Sequence, residues 1–214
     1  MREDFRNQLA ILHTELIRMG AFCEDAIASA VKGLLDEDTA LREKALTLET
    51  DINQKEREIE DFCLRLLIRE QPVAGDLRLI HAAQKMIANM ERIGDQAADI
   101  AEISAFMAGS EVKSDVHIAD MARAAVKMLQ DSIDSFVVGD VGKAQTVIAY
   151  DDVVDDLFLR VKSQLVERIS KNSDSGGACL DLLMIAKYLE RIGDHAVNIA
   201  EQIVYAVTGK RVTP

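Results

Sequence analysis

An all-α fold of two tandem three-helix bundles is predicted by three features of this 214-residue chain. A twelve-residue phrase occurs twice. Glu91 to Glu102 reads ERIGDQAADIAE and Glu190 to Glu201 reads ERIGDHAVNIAE, with nine positions identical at a spacing of 99. The chain holds two prolines, no tryptophan and 4% aromatic residues, and is crowded with Ala, Leu, Ile, Glu, Lys and Arg, a mixture that favours helix over sheet. Apolar residues recur at helical rather than strand spacing along its length.

The elements follow in order. The first copy reads as helices over 3–35, 38–70 and 73–108, and the second as 111–137, 140–170 and 177–208. Leu35-Asp36-Glu37-Asp38 separates the first pair, and Asp38 is a candidate N-cap because a short carboxylate can accept from the orphan N–H groups of a first turn. Gln71-Pro72 marks the next break, with Pro72 at a helix start where its missing N–H does no harm. Pro214 closes the sequence. Gly109-Ser110 divides the copies, giving domains 1–109 and 110–214 with a boundary near Gly109 to Ser114. In the second copy Val138-Gly139-Asp140 repeats the first break, with Asp140 as N-cap, and the Ser/Gly-rich stretch Ser170 to Gly177 repeats the second. Short connections force neighbouring helices antiparallel. Upstream of the repeated phrase the spacing is 102, pairing Met19 with Met121, Asp38 with Asp140, Glu49 with Asp151 and Asn53 with Asp155. A three-residue deletion in the second copy, at the loop matching Gln71 to Arg78, reconciles the two spacings.

With 49% hydrophobic residues and few aromatics, each copy is expected to bury its own core of Leu, Ile, Val, Met and Ala. A net charge of −12, with no run of Lys and Arg, argues against nucleic acid and for cations or basic partner surfaces. Cys23, Cys63 and Cys179 lack CxxC spacing and sit in apolar helical context, so free thiols in a reducing, cytoplasmic setting are expected. No apolar run approaches the ~18–20 residues needed to span a bilayer. Any membrane association is therefore expected through partners.

The repeated phrase carries an acidic stripe. At 100° per residue from Glu91, Asp95 lies at about 40°, Asp99 at about 80° and Glu102 at about 20°, while Met86, Ile93, Ala97 and Ile100 lie between about 180° and 240°. Glu190, Asp194, Asn198 and Glu201 repeat the stripe in the second copy. Both stripes are expected to face outward. Like charges at i,i+4 oppose a helix by ~0.2–0.5 kcal/mol per pair, a cost that a bound cation removes. Glu49 with Asn53, and Asp151 with Asp155, offer matching oxygen ligands on the preceding helix. Oxygen-only ligation suits magnesium and manganese, and bridging carboxylates suit iron. A stripe rising ~16 Å leaves room for more than one ion per copy. Ordinary solvation, or surface pairs with Arg92 and Arg191, is the plainer reading of the same residues. Gly94 and Gly193 interrupt both stripes at a cost of ~1 kcal/mol relative to alanine, so either a neighbouring helix or a ligand comes close there.

These same residues carry a family resemblance. The doubled ERIGDxAx(D/N)IAE phrase, the QPVAGDLR loop at Gln71 to Arg78 and the Ala200-Glu201-Gln202-Ile203-Val204-Tyr205 ending resemble the PhoU family of bacterial phosphate-transport accessory proteins. The resemblance implies a cytoplasmic negative regulator of phosphate uptake and of the phosphate-starvation regulon. Its implied partners are the ATPase subunit of the phosphate ABC transporter and the phosphate-sensing histidine kinase. A pair of three-helix bundles is the implied fold, and a homodimer is expected. It also implies metal clusters, of iron, zinc, manganese or magnesium, on Glu49, Asn53, Glu91, Asp95, Asp151, Asp155, Glu190 and Asp194. The neutral Asn53 departs from the acidic pattern, so weaker metal binding is expected in the first copy.

Two other classes stay open. A carboxylate-bridged metal enzyme would need Glu-x-x-His motifs, and none of His13, His81, His117 or His195 has a Glu three residues before it. A metal-free scaffold would use the acidic faces to dock basic partner segments. His195 follows Asp194 but matches Gln96, and reads as a surface histidine. Arg78 and Lys85 can attract an anion, although nothing in the sequence marks a phosphate cradle.

Overall fold

Among the described residues six long helices form, and their ends follow the local chemistry. The computed structural model describes residues 2–110, 112 and 117–212. Helices α1 (Arg2–Leu35), α2 (Thr39–Glu70) and α3 (Gly75–Ser104) make the first copy, and α4 (Ile118–Val138), α5 (Val141–Lys171) and α6 (Gly176–Thr208) the second. Asp38 caps α2 by accepting from the Ala40 and Leu41 amides at 2.9 and 3.2 Å, and Asp140 caps α5 by accepting from Lys143 at 3.0 Å. Gly139 and Gly209 close α4 and α6 at φ of 72° and 73°, the left-handed conformation that needs no Cβ. Pro72 lies in the α2–α3 connection and not in the first turn of α3, because Gln71 already ends α2 at φ 46° and a tight turn at Ala74 delays the next helix to Gly75. The expected start of α4 at 111, half of the proposed boundary and Pro214 fall outside the described residues.

Within each copy the three helices pack on one another, α1 with α2 and α3, and α4 with α5 and α6. Ion pairs show the antiparallel sense, with Lys55 to Glu15 at 3.0 Å between α1 and α2 and Lys143 to Asp134 at 2.9 Å between α4 and α5. The two bundles then join along α3–α6 and α1–α4, so α1, α3, α4 and α6 form the centre and α2 and α5 flank it. The α3–α6 pairing is the most extensive of all, and the buried side chains of both copies merge into one core. Each copy does not bury its core alone. Gly20 of α1 permits the close approach to α4, since a Cβ there would lie 2.2 Å from Ile133 Cδ1.

Leu12, Leu16, Ile27, Ile52, Met86 and Met90 are fully buried, so aliphatic and thioether packing fills the space that aromatics fill elsewhere. Three buried hydroxyls are satisfied locally: Ser104, Ser132 and Ser135 each donate to the carbonyl three residues earlier at 2.7 Å. All three cysteines are free and buried, and burial pushes the Cys63 thiol up to about 12. Among the described residues, no helix is long and apolar enough to cross a membrane.

Candidate metal-binding faces

Each copy brings its two acidic motifs together where its second helix meets its third. On the α5–α6 face, Asp151 is surrounded by Asp155 and Asp152 of its own helix and by Asp194 and Glu190 of α6. Partial burial, then repulsion from Asp155, Asp194 and Glu190, pushes the Asp151 carboxyl up to about 6. Asp194 is raised as well, by desolvation first and Glu190 second, although more of its surface stays open to solvent. Lys187 Nζ lies 2.5 Å from both oxygens of Glu190 and 5.6 Å from the centroid of the Phe158 ring. Gly193 leaves room beside Asp151, for a Cβ there would sit a slightly tight 3.3 Å from Asp151 Oδ1 and in ordinary contact, 3.5 Å, with Val154.

The α2–α3 face repeats the plan with different balances. Glu91 is raised by desolvation and then by Asp95, with Glu56 and Glu49 of α2 adding to the effect. Arg92 offsets part of this charge, 3.3 Å from Glu91 and 3.2 Å from Asp95. Asn53 donates its amide N–H to Glu49, and its Oδ1 is buried without a hydrogen-bond partner among the described residues. Gly94 serves helix approach here, because a Cβ would meet Ile52 at 3.0 and 3.2 Å.

The outward stripe expected from the helical wheel does not stay on one face. Each i,i+4 step advances about 40° round the helix, so two steps carry Asp99 away from α2 and into the α3–α6 seam. There desolvation and then Glu102 raise its carboxyl, against Arg191 and the Tyr188 hydroxyl of α6. Glu102 stays exposed near Asp99, and Asn198 is exposed. Glu201 lines a cleft with His81 and Lys85 at the far end of the same seam. Asp99 thus sits in the seam while still feeling Asp95, and Glu201 lies in the cleft away from the paired motifs. His195, expected on the surface, is half-buried in the seam with Nδ1 3.0 Å from Asn89 Oδ1, because α6 packs on α3 across it. Burial, followed by Arg191 and Arg92, lowers its pKa and favours the neutral ring.

Sequence reasoning missed Glu56, which joins the first face and is itself raised by burial and by Glu60. Its signal was available, since Glu49, Asn53 and Glu56 run i, i+4, i+7 along α2. Its counterpart Phe158 removes that charge from the second face. Among the described residues, no three His, Cys, Asp or Glu side chains form a ready-made metal group. The all-oxygen donor set suits a hard cation, and the unpartnered Asn53 oxygen and the crowded Asp151 carboxyl are groups that such an ion would satisfy.

Comparison with known proteins matches the PhoU domain to residues 16–104 and again to 118–203. The chain belongs to the PhoU family. Its PhoU relatives include the phosphate-specific transport system accessory protein PhoU homolog of Clostridium acetobutylicum, 35% identical over 99% of this chain and 97% of that one. The PhoU protein of Escherichia coli is 30% identical over 96% of this chain and 86% of its own length. The crystal structure of PhoU from Pseudomonas aeruginosa superposes with a TM-score of 0.89 at 33% identity, covering 96% of this chain and 100% of that chain. PhoU from Streptococcus pneumoniae gives 0.90 at 25% identity, covering 98% and 100%. The all-helical duplicated fold is thus a PhoU fold.

Proposed function

We propose that this chain is a cytoplasmic accessory regulator of phosphate transport. It restrains phosphate uptake and holds the starvation response off when phosphate is plentiful. The observation that carries this reading is the family match in both copies, together with near full-length similarity to relatives named phosphate-specific transport system accessory proteins. In this reading the chain docks on the ATPase subunit of the phosphate transporter and on the phosphate-sensing kinase, works without catalysis, and pairs as a homodimer.

The two acidic faces are the proposed cation sites. Asp151, Asp155, Glu190 and Asp194 would hold ions on the α5–α6 face, and Glu49, Asn53, Glu91 and Asp95 on the α2–α3 face. Magnesium and manganese suit oxygen ligands, with iron or zinc as carboxylate-bridged alternatives. A bound cation would relieve the repulsion around Asp151 and order the α5–α6 face. The second face is the stronger site in this reading, because Asp155 brings a charged ligand where the first face has the neutral Asn53; the cations balance, with Lys187 on Glu190 and Arg92 on Glu91 and Asp95. A metal-free scaffold is favoured instead by one observation, the lack of a converged ligand group among the described residues. In that case the same carboxylates receive basic segments of the partners.

The regulatory role is tested by deleting the gene in its host and following a phosphate-starvation reporter in rich phosphate. The reporter should switch on, and the protein should capture the transporter ATPase subunit from solution. A silent reporter in the deletion strain would remove the proposed role.

A further inference from the structure

The two ends of the α3–α6 seam are equivalent by duplication and opposite in chemistry. Asn89 faces His195 and Arg78 Nε donates to the Ala206 carbonyl at 3.2 Å, so the helices run antiparallel and the 99-residue repeat exchanges the ends of the seam. At one end a cleft of about 360 Å³ is lined by His81 and Lys85 of α3, Glu201, Gln202 and Tyr205 of α6, and Arg211 beyond it. The counterparts of the first five are Leu180, Met184, Glu102, Ile103 and Phe106. That end is an apolar surface, with Phe106 83%, Leu180 58% and Met184 46% exposed. Only the glutamate is common to both.

The polar end is also shaped by the backbone. Gly209 turns the chain at φ 73°, with the Arg78 guanidinium packed 3.6 to 3.8 Å from where its Cβ would be. The segment after the turn brings the Arg211 guanidinium to 5.9 Å from the centroid of the Tyr205 ring. Val212 of the same segment packs against the core and holds the segment beside the cleft.

We propose that this cleft binds a small phosphorylated organic molecule. Lys85, Arg211 and the His81 imidazole place phosphate-binding donors around one cleft of a chain whose net charge is −12. The Glu201 carboxylate opposes a bare phosphate ion and accepts a hydroxyl or amine from the organic part of the ligand. Gln202 and Tyr205 supply neutral partners for the same part. The volume falls at the small end of the range of about 300–1,000 Å³ for small-molecule sites. The site is separate from both acidic faces and does not depend on the metal reading.

Calorimetric titration of the full chain with AMP, glucose 6-phosphate, inorganic phosphate and adenosine tests it. At least one of the two organic phosphates binds, more tightly than inorganic phosphate, and adenosine does not bind. H81L/K85M installs the residues that the other copy already carries at matching exposed positions, so helix content is retained while affinity falls about tenfold or more, the scale of one charge-assisted hydrogen bond. E201Q weakens the organic phosphate and strengthens inorganic phosphate. Absence of millimolar binding by either organic phosphate would overturn the proposal, as would binding that a folded H81L/K85M protein retains in full. An E201Q protein that shifts both ligands the same way would overturn the role given to Glu201.

Discussion

Asp151 is the residue where packing and charge conflict most openly. Its carboxyl is raised to about 6, so the folded state holds a proton that the unfolded chain releases near pH 4. The folded state therefore binds more protons between about pH 4 and 6, and this group's contribution to stability declines as pH rises through that window and stays low above it. Partial exposure screens the effect to roughly 1 kcal/mol. Asp151→Asn should accordingly stabilise the protein by about 1 kcal/mol at neutral pH, with the gain roughly halved near pH 5. Urea unfolding of both proteins at the two pH values measures it, and a gain independent of pH would show that the charge is not the cause. The pairing of Asp151 with Asp194 was legible in the doubled motif, because two i,i+4 pairs on adjacent helices have one natural meeting place. The departure of Asp99 from that face was not, since a wheel drawn for one helix does not say where its neighbours end. Glu56 escaped notice because its counterpart is Phe158, and attention to what the copies share hides what only one of them carries.

Helix ends were the most legible elements, because capping is local chemistry. Asp38 and Asp140 both cap as expected, but Asp38 accepts from two amides and Asp140 from one. Asp38→Ala should cost about 1 kcal/mol, and Asp140→Ala less, read as shifts in the urea midpoint. Equal costs would mean that the second bond at Asp38 contributes nothing. The start of α3 was placed two residues early because Pro72 looked like a first-turn proline. Ala74 takes φ 50° and ψ −114°, and Asp76 N–H bonds to the Val73 carbonyl at 3.2 Å, so a tight turn occupies those residues instead. Such a turn usually carries glycine at the position of Ala74, so an alanine there leaves the turn without its usual marker.

At the scale of the molecule, composition foretold two cores and the structure has one. Counting apolar residues per copy cannot reveal that α3 finds its main partner in α6, or that Gly20 opens α1 to Ile133 of α4. A fragment spanning 1–109 would expose the α3 and α1 faces that the second copy covers, so it should self-associate or lose cooperative unfolding. A monomeric fragment with a sharp unfolding transition would contradict the shared core. The assignment of the duplicated carboxylate pairs as cation sites of an accessory regulator stands or falls on bound metal. It is tested most directly by elemental analysis of protein purified without chelators or a metal-affinity tag, beside E91A/D95A and E190A/D194A. Bound metal is expected in the wild type, with a partial loss in E91A/D95A, the larger loss in E190A/D194A and helix content unchanged in all three. Wild-type protein that stays metal-free after incubation with magnesium, manganese, iron and zinc would contradict it and leave the acidic faces as docking surfaces.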